Sequence, residues 1–193
     1  MLKEFEKFFN IYVEHNYTEK GKNLDLNTFL AKYQGENFGE GLYRVFQSEE
    51  VNKWKQIITE AYPEFKDSFE PFAYDWLGRC FAIDTRKTKE NLNQILMFEI
   101  GTADVLEIPC SLEQFHNEEI PVYGDSCLAI TFYNDWKKKS NDILENNKCV
   151  GYKIPLFLGG EDVVENLELS DMEVYWFICS AAKSRKCVEE YIR

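Results

Sequence analysis

Between residues 72 and 108 the apolar residues leave helical spacing and alternate. Phe72, Tyr74 and Trp76 alternate, then Arg79, Phe81 and Ile83, with Leu77-Gly78 between the two runs. Two period-two runs joined by a Gly-containing turn predict a hairpin, although Leu before Gly is weaker turn chemistry than Asn-Gly. Residues 94–100 and 104–108 make a second such pair around Gly101. Strands joined by short turns pair antiparallel, so a mostly antiparallel sheet of about four or five strands is expected at the centre.

On either side the spacing is three and four. Leu2, Phe5, Phe8, Phe9, Tyr12 and Val13 form a stripe over 2–14, and a short helix is expected over 26–34, ended by Gly35. Residues 41–46 read as a strand. Ser48 is placed to cap a helix with Glu49 and Glu50 in its first turn, Val51, Trp54, Ile58 and Ala61 inside, and Pro63 at its end. Ser111 and Gln114 form a capping box for a helix over 112–118. Another helix over 126–138 is expected to bury Leu128, Thr131, Phe132 and Trp136. It ends in Lys137-Lys138-Lys139, which suits the negative end of the helix dipole.

Residues 140–148 are polar and read as a loop. An apolar strand starts at Cys149, is broken by Pro155 and is released at Gly159-Gly160. A capping box at Ser170 and Glu173 opens a last helix, expected to bury Met172, Tyr175, Ile178, Cys179 and Ala182 and to run to about residue 185. The fold class is therefore α+β, with helices flanking the central sheet at both chain ends. The expected organisation is one compact domain over 1–193, with a helical part over 1–66 and a sheet plus C-terminal part over 67–193.

The net charge is −12, from 34 acids against 22 Lys and Arg. Such a surface repels phosphate backbones, so nucleic acid is not the expected partner. A basic protein is, because charge steering raises association rates by about 10–1000-fold at low salt. The six cysteines form no C-x-x-C pair and sit mostly in apolar segments, so they read as buried thiols in a reducing compartment. The first residues mix charges, and no run approaches the roughly 20 apolar residues that span a bilayer; the expected location is the cytoplasm, with no membrane partner.

Catalytic readings find little support. The two histidines are His15 and His116. Glu113-x-x-His116 has the spacing of a di-iron half-site, but the residue three before His15 is Tyr12, not an acid. Gly124-Asp125-Ser126 is similar to the nucleophile block of one esterase class, whose base is a downstream His; none follows His116. Gly159-Gly160 lacks both phosphate-loop spacings, and Glu161-Asp162 would repel a phosphate beside it. No cofactor, no metal and no enzymatic activity are expected.

Several blocks carry a family resemblance. They are Phe72-Ala73-Tyr74-Asp75-Trp76-Leu77-Gly78-Arg79 continuing to Asp84, then Met97-Phe98-Glu99-Ile100-Gly101-Thr102 and Val105-Leu106-Glu107-Ile108-Pro109. The strongest is Val150-Gly151-Tyr152-Lys153-Ile154-Pro155-Leu156-Phe157-Leu158-Gly159-Gly160, followed by Val164-Glu165-Asn166-Leu167-Glu168 and Asp171-Met172-Glu173-Val174-Tyr175-Trp176. Together they resemble bacterial proteins with a GAD-like N-terminal part and a C-terminal domain named for immunity to a type VI secretion DNase toxin. The resemblance covers most of residues 30–180. It implies a small α+β protein without a cofactor that binds and neutralises a toxin; a nuclease-like toxin would be basic, since it must grip DNA, and would meet this chain's charge with the opposite sign.

Within the matching blocks, the turn and loop groups are the partner-binding candidates: Asp75, Trp76, Arg79, Glu161, Asp162, Glu165 and Asn166. The competing reading makes Trp76 core and has Asp162 and Asn166 hold turns. Two other functions stay open. One is a non-catalytic interaction or regulatory module of the same fold. The other is a ligand binder or enzyme, which a pocket holding Glu113 and His116, or the Gly pair, would favour.

Overall fold

β3 (Phe69–Asp75) and β4 (Cys80–Asp84) close the expected hairpin over Leu77-Gly78. Gly78 N–H donates to Asp75 O at 3.0 Å, and Gly78 has φ +77°, a left-handed conformation that costs glycine little. The computed structural model describes residues 2–10, 24–86 and 94–192, the last six by backbone alone. β5 (Ile95–Glu99) and β6 (Asp104–Ile108) form the second expected pair. On the other side β2 (Tyr43–Val45) pairs with β3, and β1 (Asn37–Phe38) with β2. Among the described residues this sheet has six strands, antiparallel throughout and in sequence order. The count exceeds four or five because β1 has two residues, too few to show a period.

Helices cover both faces, so the pleat feeds two cores. Phe81, Ile83, Ile95 and Met97 point into the first. There they meet Phe5 of α1 (Lys3–Phe8), Phe29 of α2 (Leu26–Tyr33) and a helical block. That block is α4 (Leu112–Gln114), a π-helical turn (Phe115–Glu119), α5 (Ile120–Leu128) and α6 (Ile130–Lys139). Cys80, Ala82, Leu96 and Phe98 point the other way, to Trp54 and Ile58 of α3 (Val51–Ala61) and Trp176 and Cys179 of α7 (Met172–Ile192). Each large side chain so buried contributes roughly 1.5–3 kcal/mol. Double coverage also explains why residues 80–83 and 95–98 are apolar at every position.

The capping box forms as expected: Ser111 Oγ accepts from Gln114 N–H at 3.2 Å, and Gln114 Oε1 from Ser111 N–H at 3.1 Å. Other helix boundaries differ from expectation. Ser48 does not cap α3; its hydroxyl donates to Gln34 Oε1 at 2.6 Å, and the helix begins at Val51. The helix expected over 126–138 is two helices, because Ala129 adopts φ 50°, ψ 50°. That left-handed residue resets the helical phase, turning Thr131 to solvent and Tyr133 inward. α7 is capped by Asp171, not Ser170: its Oδ1 accepts from Glu173 and Val174 N–H at 3.1 and 3.2 Å. The helix extends past residue 185, to Ile192.

The apolar strand after the polar loop is β7 (Lys148–Tyr152), and its partner β8 (Leu167–Asp171) makes a separate two-stranded sheet. This ribbon clamps the β3–β4 turn. Val150 N–H donates to Trp76 O at 2.7 Å, and Trp176 Nε1 to Gly78 O at 2.8 Å. Cys80, Cys110, Cys127, Cys149 and Cys179 are buried and free, and burial pushes the Cys110 and Cys127 thiols up to about 12 and about 11. Among the described residues no helix is long and apolar enough to cross a membrane. Tyr12, Val13 and His15 lie outside the described residues.

Candidate protein-docking surface

Three of the seven candidate residues lie in the core. Asp75 and Trp76 have no exposure and Arg79 has 6%. Asp75 Oδ1 accepts from the backbone N–H of Leu77 and of Arg79, each at 3.0 Å, and its Oδ2 accepts from Arg79 Nε at 2.6 Å. Burial pushes the Asp75 carboxyl up, and the Arg79 guanidinium pulls against that shift. The Trp76 indole donates to Leu128 O at 2.9 Å and packs against Phe132, Tyr133 and Trp136. A partner cannot reach these groups while the hairpin is closed, which corrects their assignment to a binding surface. They build the turn instead.

Arg44 belongs to the same structure and escaped the sequence reading. It is 1% exposed, donates to Glu145 O, Lys148 O and Asp75 O at 2.9, 2.7 and 3.0 Å, and stacks over Tyr74. An Arg at the centre of a three-residue strand, Tyr43-Arg44-Val45, was the available signal: central strands seldom carry a charge unless it is buried and paired.

The other four candidates share one loop between β7 and β8. Gly159 is left-handed (φ +89°), and a Cβ on Gly160 would lie 1.9 Å from Ile154 O, so the Gly pair serves close backbone approach. Asn166 knots the loop. Its Nδ2 donates to Ile154 O and Glu161 O, both at 2.9 Å, and its Oδ1 accepts from Ile154 N–H at 3.0 Å. Asp162 accepts from Tyr152 Oη at 2.7 Å; burial and that carboxylate push the Tyr152 hydroxyl far up. Glu165 accepts from Lys139 Nζ at 2.5 Å, which holds its carboxyl below the usual range. Glu161 is exposed and its carboxylate meets no partner among the described residues. The loop is thus held in shape by its own hydrogen bonds, with Glu161, Asp162 and Glu165 exposed on it.

His116 sits in the π-helical turn with no exposure, ringed by Phe5, Phe29, Phe72 and Phe115. Its Nδ1 lies 2.7 Å from Leu112 O, which only accepts, so Nδ1 carries the proton and Nε2 accepts from Tyr43 Oη at 2.8 Å. Burial lowers its pKa to about 4. Both nitrogens are engaged inside the protein, so the Glu113-x-x-His116 spacing leaves no nitrogen for a metal. Among the described residues no three His, Cys, Asp or Glu are grouped to hold one.

One feature of α7 was misplaced by the sequence reading. Its inward face is Met172, Tyr175, Trp176 and Cys179, whereas Ile178, expected inside, is 58% exposed beside Val174 at 53% and Phe177 at 72%. Phe177 and Ala181 face Ile57 and Glu60 of α3 across a shallow groove of about 310 Å³, with Glu173 at its end. The available signal was a helix apolar around most of its circumference between residues 172 and 182.

Comparison with known proteins bears on the stretch that carries this loop and most of this helix. Residues 112–181 match the family model for the C-terminal part of the type VI secretion immunity protein Tdi1. Over these residues the chain is similar to a type VI secretion immunity domain. The matched stretch begins at α4, includes the acidic loop and ends at Ala181 on α7; it does not extend to the part that resembles GAD-like proteins. No curated protein matches the chain. Among solved structures, the crystal structure of Atu4351 from Agrobacterium tumefaciens is similar in fold. Its TM-score is 0.55 at 15% identity, covering 93% of this chain and 88% of that one.

Proposed function

We propose that this chain binds a cognate, nuclease-like toxin delivered by a type VI secretion system and neutralises it in the cytoplasm by non-catalytic occlusion. The observation that carries the proposal is the match of residues 112–181 to the immunity family model. The charge supports the nuclease part. An enzyme that grips DNA presents a basic surface, and a protein of net charge −12 meets it with the opposite potential. Glu161, Asp162 and Glu165 are the polar contacts in this reading, and Asn166 holds them in place.

The test is co-expression with the protein encoded beside this gene. The expected result is that the neighbour alone kills the cells and degrades their DNA, that this chain restores growth, and that the two co-purify. Killing that is equal with and without this chain would sink the reading.

A further inference from the structure

We propose that the outward face of α7, centred on Phe177, is the apolar anchor of the toxin interface, and that the toxin brings to it an apolar side chain flanked by Lys or Arg. This rests on the reading above that the partner is a toxin. It adds which surface is gripped and what chemistry fits it.

Helical geometry divides the side chains of α7 into two faces. At about 100° per residue, Met172, Tyr175, Trp176 and Cys179 fall on one arc, and Val174, Phe177, Ile178 and Ala181 on the opposite one. The first arc is buried against the sheet; on the second, three large apolar side chains are each more than half exposed. A surface helix ordinarily places charged and polar residues there. A contiguous apolar patch of this kind marks an interaction site more often than scattered single residues do. α7 has the pattern of a helix with partners on both sides, and within the described residues only one side has its partner.

Charge selects the occupant. The side chains lining the groove beside Phe177 include two acids, Glu60 and Glu173, and no base; Lys53 pairs with Glu173 from outside it, and Lys183 donates to Ala61 O next to Glu60. The chain as a whole carries −12. A second copy would bring the same two acids and the same net charge, setting like against like. A basic protein meets these acids favourably while its apolar side chain fills the space between Phe177 and Ile57. Burial of such an anchor inside a polar rim is the usual arrangement of an interface hot spot. The stripe also ends at Ala181, the last residue that matches the immunity family model.

The test titrates purified wild type and two variants, Phe177→Ala and the double Phe177→Asp, Ile178→Asp, with a catalytically inactivated form of the protein encoded beside this gene. Both side chains point to solvent, so the variants should melt with the wild type. The expected loss of affinity is about tenfold for the alanine and at least about thirtyfold for the double variant. Wild-type affinity in the folded double variant would overturn the inference while leaving the proposed function standing. Absence of binding by the wild type would remove both. A wild-type dimer that the double variant splits, with toxin affinity intact, would assign the stripe to a second copy and overturn it equally.

Discussion

Arg79 meets Asp75 inside the core, Nε to Oδ2 at 2.6 Å, across the turn that joins β3 to β4. The same guanidinium reaches Cys127 O at 3.1 Å and so ties the hairpin to α5. Removing one partner of a buried ion pair costs about 3–5 kcal/mol, because the other charge stays buried and uncompensated. Arg79→Ala should therefore lower the unfolding free energy by about that much in urea titrations. The double variant with Asp75→Ala should lose less than the two single losses added together. A loss under about 1 kcal/mol for Arg79→Ala would show that the carboxylate is not held as described.

His116 makes stability depend on pH in a definite direction. Buried and neutral, it stays unprotonated down to about pH 4, whereas the unfolded chain protonates near 6.5. The unfolded state binds more protons in that window, so stability is lost as pH falls from about 6.5 to about 4. Between pH 7.5 and 5 the loss is about 2 kcal/mol. Glu99, whose carboxyl burial pushes up, acts in the opposite sense, since a folded state that holds a proton more tightly gains stability on acidification. His116→Gln should remove the histidine part of the slope whatever its effect at neutral pH. Parallel pH profiles for the two proteins would refute it.

Asn166 holds the acidic loop through three side-chain bonds. Asn166→Ala leaves Ile154 N–H and two carbonyls to find water, at a cost of about 1–3 kcal/mol locally. Amide exchange at Ile154 should accelerate while exchange in β4 and β5 stays slow. Unchanged protection at Ile154 would mean the knot is not what orders the loop.

The loop acids should act on the rate of encounter. Glu161→Lys together with Glu165→Lys is expected to slow association with the toxin about tenfold at low salt. The difference should shrink as salt shortens the screening length below about 8 Å. Both side chains are exposed, so the melting temperature should hardly move. Equal association rates at low salt would place the loop outside the interface.

Much of the fold was legible because its signals are local. The Phe72–Trp76 alternation, the Leu77-Gly78 turn and the Ser111–Gln114 capping box each lie within a few residues, and each formed. What failed was phase and depth. One left-handed residue, Ala129, turned α6 about its axis and exchanged Thr131 for Tyr133 at the core. Trp76 sat in a turn by sequence, but Leu128 O, 52 positions away, receives its indole N–H and takes it inside.

The sequence by itself determined the α+β class, the antiparallel hairpins, the acidity and the likeness of residues 112–181 to an immunity family, since period, turn chemistry, charge and motif are properties of the chain. The tertiary structure alone decided which charged groups are walled in and which apolar ones are left out. Asp75 and Arg79 are sealed because the β7–β8 ribbon and α5 close over their turn. Phe177 is bare because α7 spends its other face on the sheet and α3 stops short of covering it. Burial depends on what distant segments bring to a residue, and that information appears only when the layers pack.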